Sequence, residues 1–596
     1  MKTVFLLLNI YILSYTTGCN NNKPIELQAT LLVNHIAYGQ NGFKKLVLQT
    51  NTLETPGNFQ IIDSKNKTVF KSSFEKGGQI DSWNTGKAYE GIFSDVKQNG
   101  EYFAQCSLGG KIIKSEIFTI AQNELSNKCL PLLIDGFKSQ RCAAPYDTKD
   151  KQMSFFGKRD DIVDVHGGWY DASGEKGKYF SHLCFSNYMN PQQTPMVVWN
   201  MLESAQQYES SADQEKTGLQ NRMIKEAIYG ADFLVRMQDP KGYFYTIVFA
   251  NWSGEAKERE ICCYEGHKGK RSTDYQAAFR EGGGMAIAAL ARISTTGKSG
   301  DYKPQDYLAV AIKGFDHLLK NNIRYVDDGK ENIIDNYCAL LAATELFAAT
   351  KKDIYLNHAQ RYMKQLVSFL HSNKDYNSWW SADTEGTRPY FHAAEAGLPL
   401  IALYRYLQFE TNSEFKDIAI GAIQKSVAHE LLITNEINNP FGYARQYVKS
   451  PGSKKHASFF IPHKNETGYW WQGENARISS LASAFQLVMP YLEKNQQKGA
   501  KKYATDQINW VLGLNPYNTC MLDGAGQNNP DYKEEGRSLN YKGGVCNGIT
   551  AGFNNESDIA FMPLPQNNNL NHRWRWSEQW LIHPSWFMLA IASSGL

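Results

Sequence analysis

At 596 residues the chain is longer than one ordinary hydrophobic core fills, so it holds two or more domains. Its 63 basic and 60 acidic side chains give a net charge of +3 and form no basic stripe, which gives no electrostatic support to a nucleic-acid partner. Aromatic residues make up 13%; flat apolar rings suit stacking on sugar faces, although filling a large core accounts for most of them.

In chain order, Lys2 precedes a short apolar run, residues 4–13, too short to span a bilayer and laid out like a secretory signal. Thr16-Thr17-Gly18-Cys19 resembles a bacterial lipobox, in which the cysteine is lipidated. Residues 1–18 are therefore expected to be a lipoprotein signal peptide, and residues 19–26 a polar tether behind an acylated Cys19. An ordinary signal peptide with an incidental cysteine is the alternative. The expected location is the bacterial envelope, anchored to membrane by lipid, on the periplasmic side or the cell surface. No acidic run follows Cys19, which favours the periplasmic side. The ten cysteines are irregularly spaced, so export permits disulfides without defining their connectivity.

Residues 27–122 read as short strands broken by Gly, Asn and Asp turns, among them Lys45-Leu46-Val47-Leu48 and Phe59-Gln60-Ile61-Ile62. They predict a small β-sandwich, a packing module without evident chemistry. From about residue 128 the period becomes helical: Ile224, Ala227, Ile228, Ala231, Leu234 and Val235 share one face. Further stripes are predicted at 276–293, 334–350, 355–370, 399–407, 418–432, 478–492 and 503–512. Long loops rich in Gly, Trp, Asn and Pro separate them, and loops of that length are usually functional. Many amphipathic helices without a fixed repeat predict a helical toroid rather than a solenoid.

Two loops concentrate reactive groups. In Asp164-Val165-His166-Gly167-Gly168-Trp169-Tyr170-Asp171-Ala172-Ser173-Gly174-Glu175 the glycines allow a tight path that turns Asp171 and Glu175 towards one cavity. Such a pair can grip and deprotonate a water; the competing reading is a solvated surface turn. Glu578, in Arg573-Trp574-Arg575-Trp576-Ser577-Glu578-Gln579-Trp580, is set among indoles. Desolvation there raises a carboxyl pKa, as a general acid requires, whereas pairing with Arg573 or Arg575 would lower it.

The stretch 167–178 resembles the Gly-Gly-Trp-x-Asp-Ala-Gly-Asp signature of glycoside hydrolase family nine, in a form with an inserted serine. Ser577-Glu578 resembles the Asn-Glu of that family's C-terminal signature. Gln140-Arg141-Cys142 and the stretches 388–399, 441–446, 465–477 and 510–516 fit the same branch, and residues 32–38 resemble the start of its immunoglobulin-like module. The resemblance implies an immunoglobulin-like β-sandwich (27–122) followed by an all-α (α/α)6 barrel (128–596), acting as an inverting glycoside hydrolase on a β-linked glucan-type chain such as cellulose, mixed-linkage glucan or xyloglucan. It makes Glu578 the general acid, Glu175 the base and Asp171 the residue that helps hold the water.

Tyr170, Arg388, His392, Arg445 and Trp471 are candidate substrate contacts, because they stand in polar-aromatic loops between helices. Three positions depart from the family pattern. The base is Glu rather than Asp; the family's His-x-Arg motif has no counterpart where residues 523–528 stand; and no Cys-His pair follows Cys142, so zinc is not expected. Calcium, which some relatives bind, needs an oxygen cage that no segment identifies. Cys262-Cys263 reads as structural rather than as a ligand pair. A monomer with no cofactor is expected. The alternative functions are a catalytically impaired glycan-binding lipoprotein and, behind it, a polysaccharide lyase.

Overall fold

The computed structural model describes residues 28–75, 77–182, 184–209, 213–265, 268–468 and 470–595. The predicted signal peptide and the tether with Cys19 lie outside them.

Ten strands form the N-terminal module: β1 (Ala29–Leu32), β2 (Ala37–Tyr38), β3 (Lys45–Thr50), β4 (Asn58–Asp63), β5 (Thr68–Ser73), β6 (Gly78–Gln79), β7 (Lys87–Ile92), β8 (Gly100–Leu108), β9 (Lys111–Lys114) and β10 (Phe118–Ile120). One sheet runs β1-β3-β7-β6; the other runs β2-β10-β8-β4-β5, with β9 also on β8. Period-two alternation explains the sandwich: along β8, Tyr102, Ala104, Cys106 and Leu108 point inward, towards Leu46, Phe59 and Ile61.

Twelve helices of ten residues or more follow among the described residues: α1 (Glu124–Ser139), α2 (Thr194–Gln206), α3 (Gln214–Arg236), α4 (Gly283–Ser294), α5 (Pro304–Tyr325), α6 (Ile333–Thr350), α7 (Asp353–Ser368), α8 (Leu398–Leu407), α9 (Ser413–Asn435), α10 (Asn475–Leu487), α11 (Lys494–Val511) and α12 (Ile582–Ser593). The even-numbered helices are buried on almost every side, while the odd-numbered ones bury a stripe and expose the rest. Each even helix touches the next, and α12 closes on α2; the odd helices pack outside, α1 on α12 and each of the others on the even helix preceding it. This is the expected (α/α)6 barrel.

Local chemistry sets the helix ends. Asn332 accepts from the Ile334 N–H (2.8 Å) while Asp335 accepts from the Asn332 N–H (3.0 Å), a capping box that starts α6. The stripe at 276–293 becomes helical only at Gly283, because Phe279–Glu281 form a 3-10 turn and Gly282 takes φ 92°. The stripe at 478–492 stops at Leu487, ahead of a separate turn, Met489–Tyr491, that contains Pro490.

The sandwich is bolted to the outside of the ring. Lys45, fully buried, pairs with Asp506 of α11 (2.8 Å) and donates to the carbonyls of Pro440 and Phe441 (2.9 and 2.8 Å). The Asn34 amide donates to Asn509 (2.9 Å), and Trp83 packs among Phe441, Phe459 and Trp510.

Candidate active site

The loops that precede the inner helices α2, α10 and α12 meet at one end of the ring. The first, 164–179, is held from below by a buried ionic knot. Lys178 Nζ donates to the carbonyls of Val165 and Gly167 (both 2.7 Å) and pairs with Asp150 (2.7 Å). Arg259 grips the same carboxylate with two bonds (2.7 and 2.8 Å). Cys142 Sγ lies 3.5 Å from Asp150 Oδ2, so this knot occupies the neighbourhood of the cysteine. The tight path needs glycine: Gly168 has φ 74°, and a Cβ there would stand 2.8 Å from the Phe233 ring.

Backbone pairing then joins the two carboxylate loops. The Ser173 N–H donates to the Gln579 carbonyl (2.9 Å), the Gln579 N–H to Ser173 Oγ (3.0 Å), and the Leu581 N–H to the Asp171 carbonyl (2.7 Å). Asp171 and Glu578 are thereby fixed in one unit although 407 positions separate them in sequence.

Side-chain oxygens of Asp171 and Glu175 and a ring nitrogen of His182 lie within 4.8 Å of one another. His182 Nδ1 is 3.4 Å from Asp171 Oδ2, an ion-pair contact, and Gln193 Nε2 donates to the same oxygen (3.1 Å). Asp171 Oδ1 and Glu175 Oε2 accept no hydrogen bond from the described residues. Burial pushes the Glu175 carboxyl up to about 7; the His182 charge pulls it down and that of Asp171 pushes it further up. Glu578 stands well above the ordinary carboxylate range, first through burial and then through the Glu175 charge, while the Trp580 N–H bonded to it (2.5 Å) works the other way. The alternative ion pair does not form: Arg573 pairs with Glu534 (3.4 Å), and Arg575 lies over the Trp471 and Trp574 rings.

Glu175, His182 and Glu578 share the wall of a cavity of about 640 Å³. Trp252, Trp470, Trp574 and Trp580 supply flat apolar surface to the same wall. Trp252 is 54% exposed at the tip of a turn in which it and Asn251 take φ 64° and 52°; its Nε1–H donates to the Tyr264 hydroxyl (3.1 Å). Trp470 stacks on Trp580 with centroids 5.7 Å apart. Asp171 does not line the cavity; it backs His182 and Glu175.

The five residues predicted as substrate contacts do not line this cavity. The Tyr170 hydroxyl bonds to the backbone of Ala143. Arg388 is gripped by Glu466 (2.6 and 2.9 Å) and lies on the Phe391 ring. His392, buried and lowered to about 3 by desolvation, accepts from the Ala394 and Glu395 N–H groups. Arg445 pairs with Glu436 (2.5 Å) beside a separate small hollow, and Trp471 is fully buried against His463. Residues 523–528 lie at the sandwich junction, where the Gln527 N–H donates to His35 (3.3 Å). Cys262 and Cys263 are buried with Cys184 in an apolar cluster. No sequence pattern marks the Trp252 platform, and the signal for His182 is a histidine eleven residues after Asp171.

A closed (α/α)6 ring with carboxylates on the wall of an aromatic cavity is the architecture of a toroidal glycoside hydrolase. The glycosyl hydrolase family 9 pattern matches residues 128–537, and the cellulase N-terminal ig-like domain pattern matches residues 26–109. The chain therefore belongs to glycosyl hydrolase family 9, and it is a glycoside hydrolase. Similar solved structures include a Bacteroides ovatus GH9 protein (16% identity, TM-score 0.61, covering 95% of this chain and 98% of that one). A metagenome-derived family 9 endoglucanase (16%, TM-score 0.64, 95% and 99%) and a thermostable endoglucanase from Alicyclobacillus acidocaldarius (14%, TM-score 0.65, 95% and 99%) share the fold. No curated protein matches the chain. Glu578 lies beyond the end of the family pattern, so its place in the site rests on the geometry above.

Proposed function

We propose that this hydrolase cleaves a β-linked glucan with inversion, Glu578 acting as acid and Glu175 as base. The observation that carries the reading is that both carboxyls stand on the wall of one cavity, in environments that separate their protonation. Glu175 has an imidazole beside it and is pushed up to about 7, so that it is about half ionised at neutral pH; Glu578 feels two other carboxylates and keeps its proton. In the reaction Glu578 gives that proton to the glycosidic oxygen as the C1–O bond breaks. Glu175 takes a proton from the water that forms the new bond at C1, and Asp171 steadies the Glu175–His182 pair. The four indoles suit the apolar faces of equatorially substituted sugars, and the endoglucanases of the same fold support a β-glucan as substrate. Cys19 and its lipobox-like context support export and lipid anchoring at the bacterial envelope.

The test is proton NMR of products released from cellulose, mixed-linkage glucan, xyloglucan and glucomannan oligosaccharides. The α-anomer should appear first on the best of them. First appearance of the β-anomer, or silence across the panel with binding retained, would overturn the reading.

A further inference from the structure

We propose that His182 is a positioning residue for this hydrolysis: its imidazole, wedged between the Asp171–Glu175 pair and the Trp580 indole, aims the base. The inference rests on the function proposed above and adds a residue to it.

Three observations carry it. First, the ring contacts Asp171, with Nδ1 at 3.4 Å from Oδ2, and a Glu175 oxygen lies within 4.8 Å in the same cluster. Second, it is held on both sides. The Tyr179 ring meets it edge-on with centroids 4.7 Å apart, and Trp580 packs on it at 5.0 Å. Third, Trp580 Nε1–H donates to Glu578. His182 thus stands between base and acid: Glu175 lies within 4.8 Å of it, Trp580 packs on it, and Trp580 holds Glu578. A shift of the imidazole moves both ends of the machinery.

The electrostatics agree. Three carboxylates in one enclosed space cannot all ionise. An imidazolium between two of them relieves that repulsion for Asp171 and Glu175, and leaves Glu578, bonded to an uncharged indole, to keep its proton. Burial works against the charged ring, yet the Asp171 contact and the Glu175 charge raise His182 above its ordinary value. The titratable groups facing it are Asp171, Glu175 and Tyr179 from the loop 164–179, and Glu578 beyond Trp580. Tyr264 stands behind Trp252, and Lys176 points away, over the Tyr170 ring.

The experiment compares kcat, KM and the pH profile of the full chain with those of His182→Gln, which is uncharged, and His182→Ala. Expected is a kcat loss of about 10- to 100-fold, the scale of a small misplacement of a reacting group, with KM nearly unchanged. The acidic limb should move to higher pH in both variants, because without the cation the base holds its proton more tightly. An unmoved acidic limb, or a kcat within twofold of wild type, would overturn the inference. Glu578→Gln runs alongside: if it stays active, the hydrolytic assignment fails, whereas its collapse beside an unmoved His182→Gln profile sinks this inference alone. Where turnover is too slow to read, NMR of the 15N-histidine-labelled protein serves. The resonance lost in His182→Gln should titrate above the free value of about 6.5 and fall when Asp171→Asn and Glu175→Gln are combined. A titration below that value, indifferent to both substitutions, would contradict it.

Discussion

The loops at 388–399 and 441–477 resemble those at 164–182 and 571–580 in composition, being rich in Arg, His, Trp and carboxylates, and both sets precede inner helices. They differ in how charge is matched. In the first set every guanidinium has its carboxylate: Arg388 with Glu466 at 2.6 Å, Arg445 with Glu436 at 2.5 Å, Arg477 with Glu474 at 2.5 Å. In the second set Glu175 and Glu578 line the cavity with Asp171 behind them, and one imidazole, His182, stands beside Asp171 and Glu175. Matched charge under the surface builds the scaffold, and unmatched charge around a cavity is available for chemistry.

The difference can be broken from either side. The largest effect is expected at the unmatched set: Glu175→Gln should lower kcat by about 100- to 10,000-fold, the range of general-base catalysis, with the fold intact by circular dichroism. The same variant tests the sign of the electrostatics. The folded carboxyl titrates at about 7 against 4.5 for the free group, so its ionisation costs stability progressively as the pH rises from 4.5 through 7. Glu175→Gln should therefore melt higher than wild type at pH 8 and no higher at pH 4. A variant that melts lower at pH 8 would show that the carboxylate is stabilised by pairing instead.

Next in size, Arg388→Met leaves Glu466 without its partner and should destabilise the fold by roughly 3–5 kcal/mol in urea unfolding, without moving the pH profile of whatever activity survives. An equal stability with a raised KM would return Arg388 to the cleft. The smallest effect belongs to the exposed Trp252. Trp252→Ala should weaken oligosaccharide binding by about tenfold, roughly 1.4 kcal/mol of stacking, with kcat little changed; unchanged KM would mean that the platform is not a sugar subsite.

Legibility in the sequence follows from the same physics. Outer helices such as α3 have two unlike faces, so the stripe from Ile224 to Val235 is readable. The inner helices α4, α6, α8 and α10 are readable as well, as long apolar runs, whereas α2, equally buried from Thr194 to Ala205, stands outside the predicted stripes. The outer helix α5 buries Tyr307, Ala311, Gly314 and Phe315, a stripe too mixed in size to stand out. Asp171, Glu175 and Glu578 were legible through motif resemblance. Their junction was not, because it is made by backbone bonds between residues 171–173 and 579–581. Arg388, His392, Arg445 and Trp471 sit in loops that look functional; remote partners (Glu466 and Asn190) occupy the first two, and nearer ones (Glu436 and His463) the others. His182 was hidden for the converse reason: its significance comes from a ring that arrives with Trp580 near the other end of the chain.

The most direct test of the central claim, that Glu578 is the acid of a carboxylate pair acting across this cavity, is kcat of Glu578→Gln against wild type on the best oligosaccharide substrate. The account predicts a loss of at least about 100-fold with substrate binding retained. A kcat within a fewfold of wild type would contradict it and would move the proton donor elsewhere on the cavity wall.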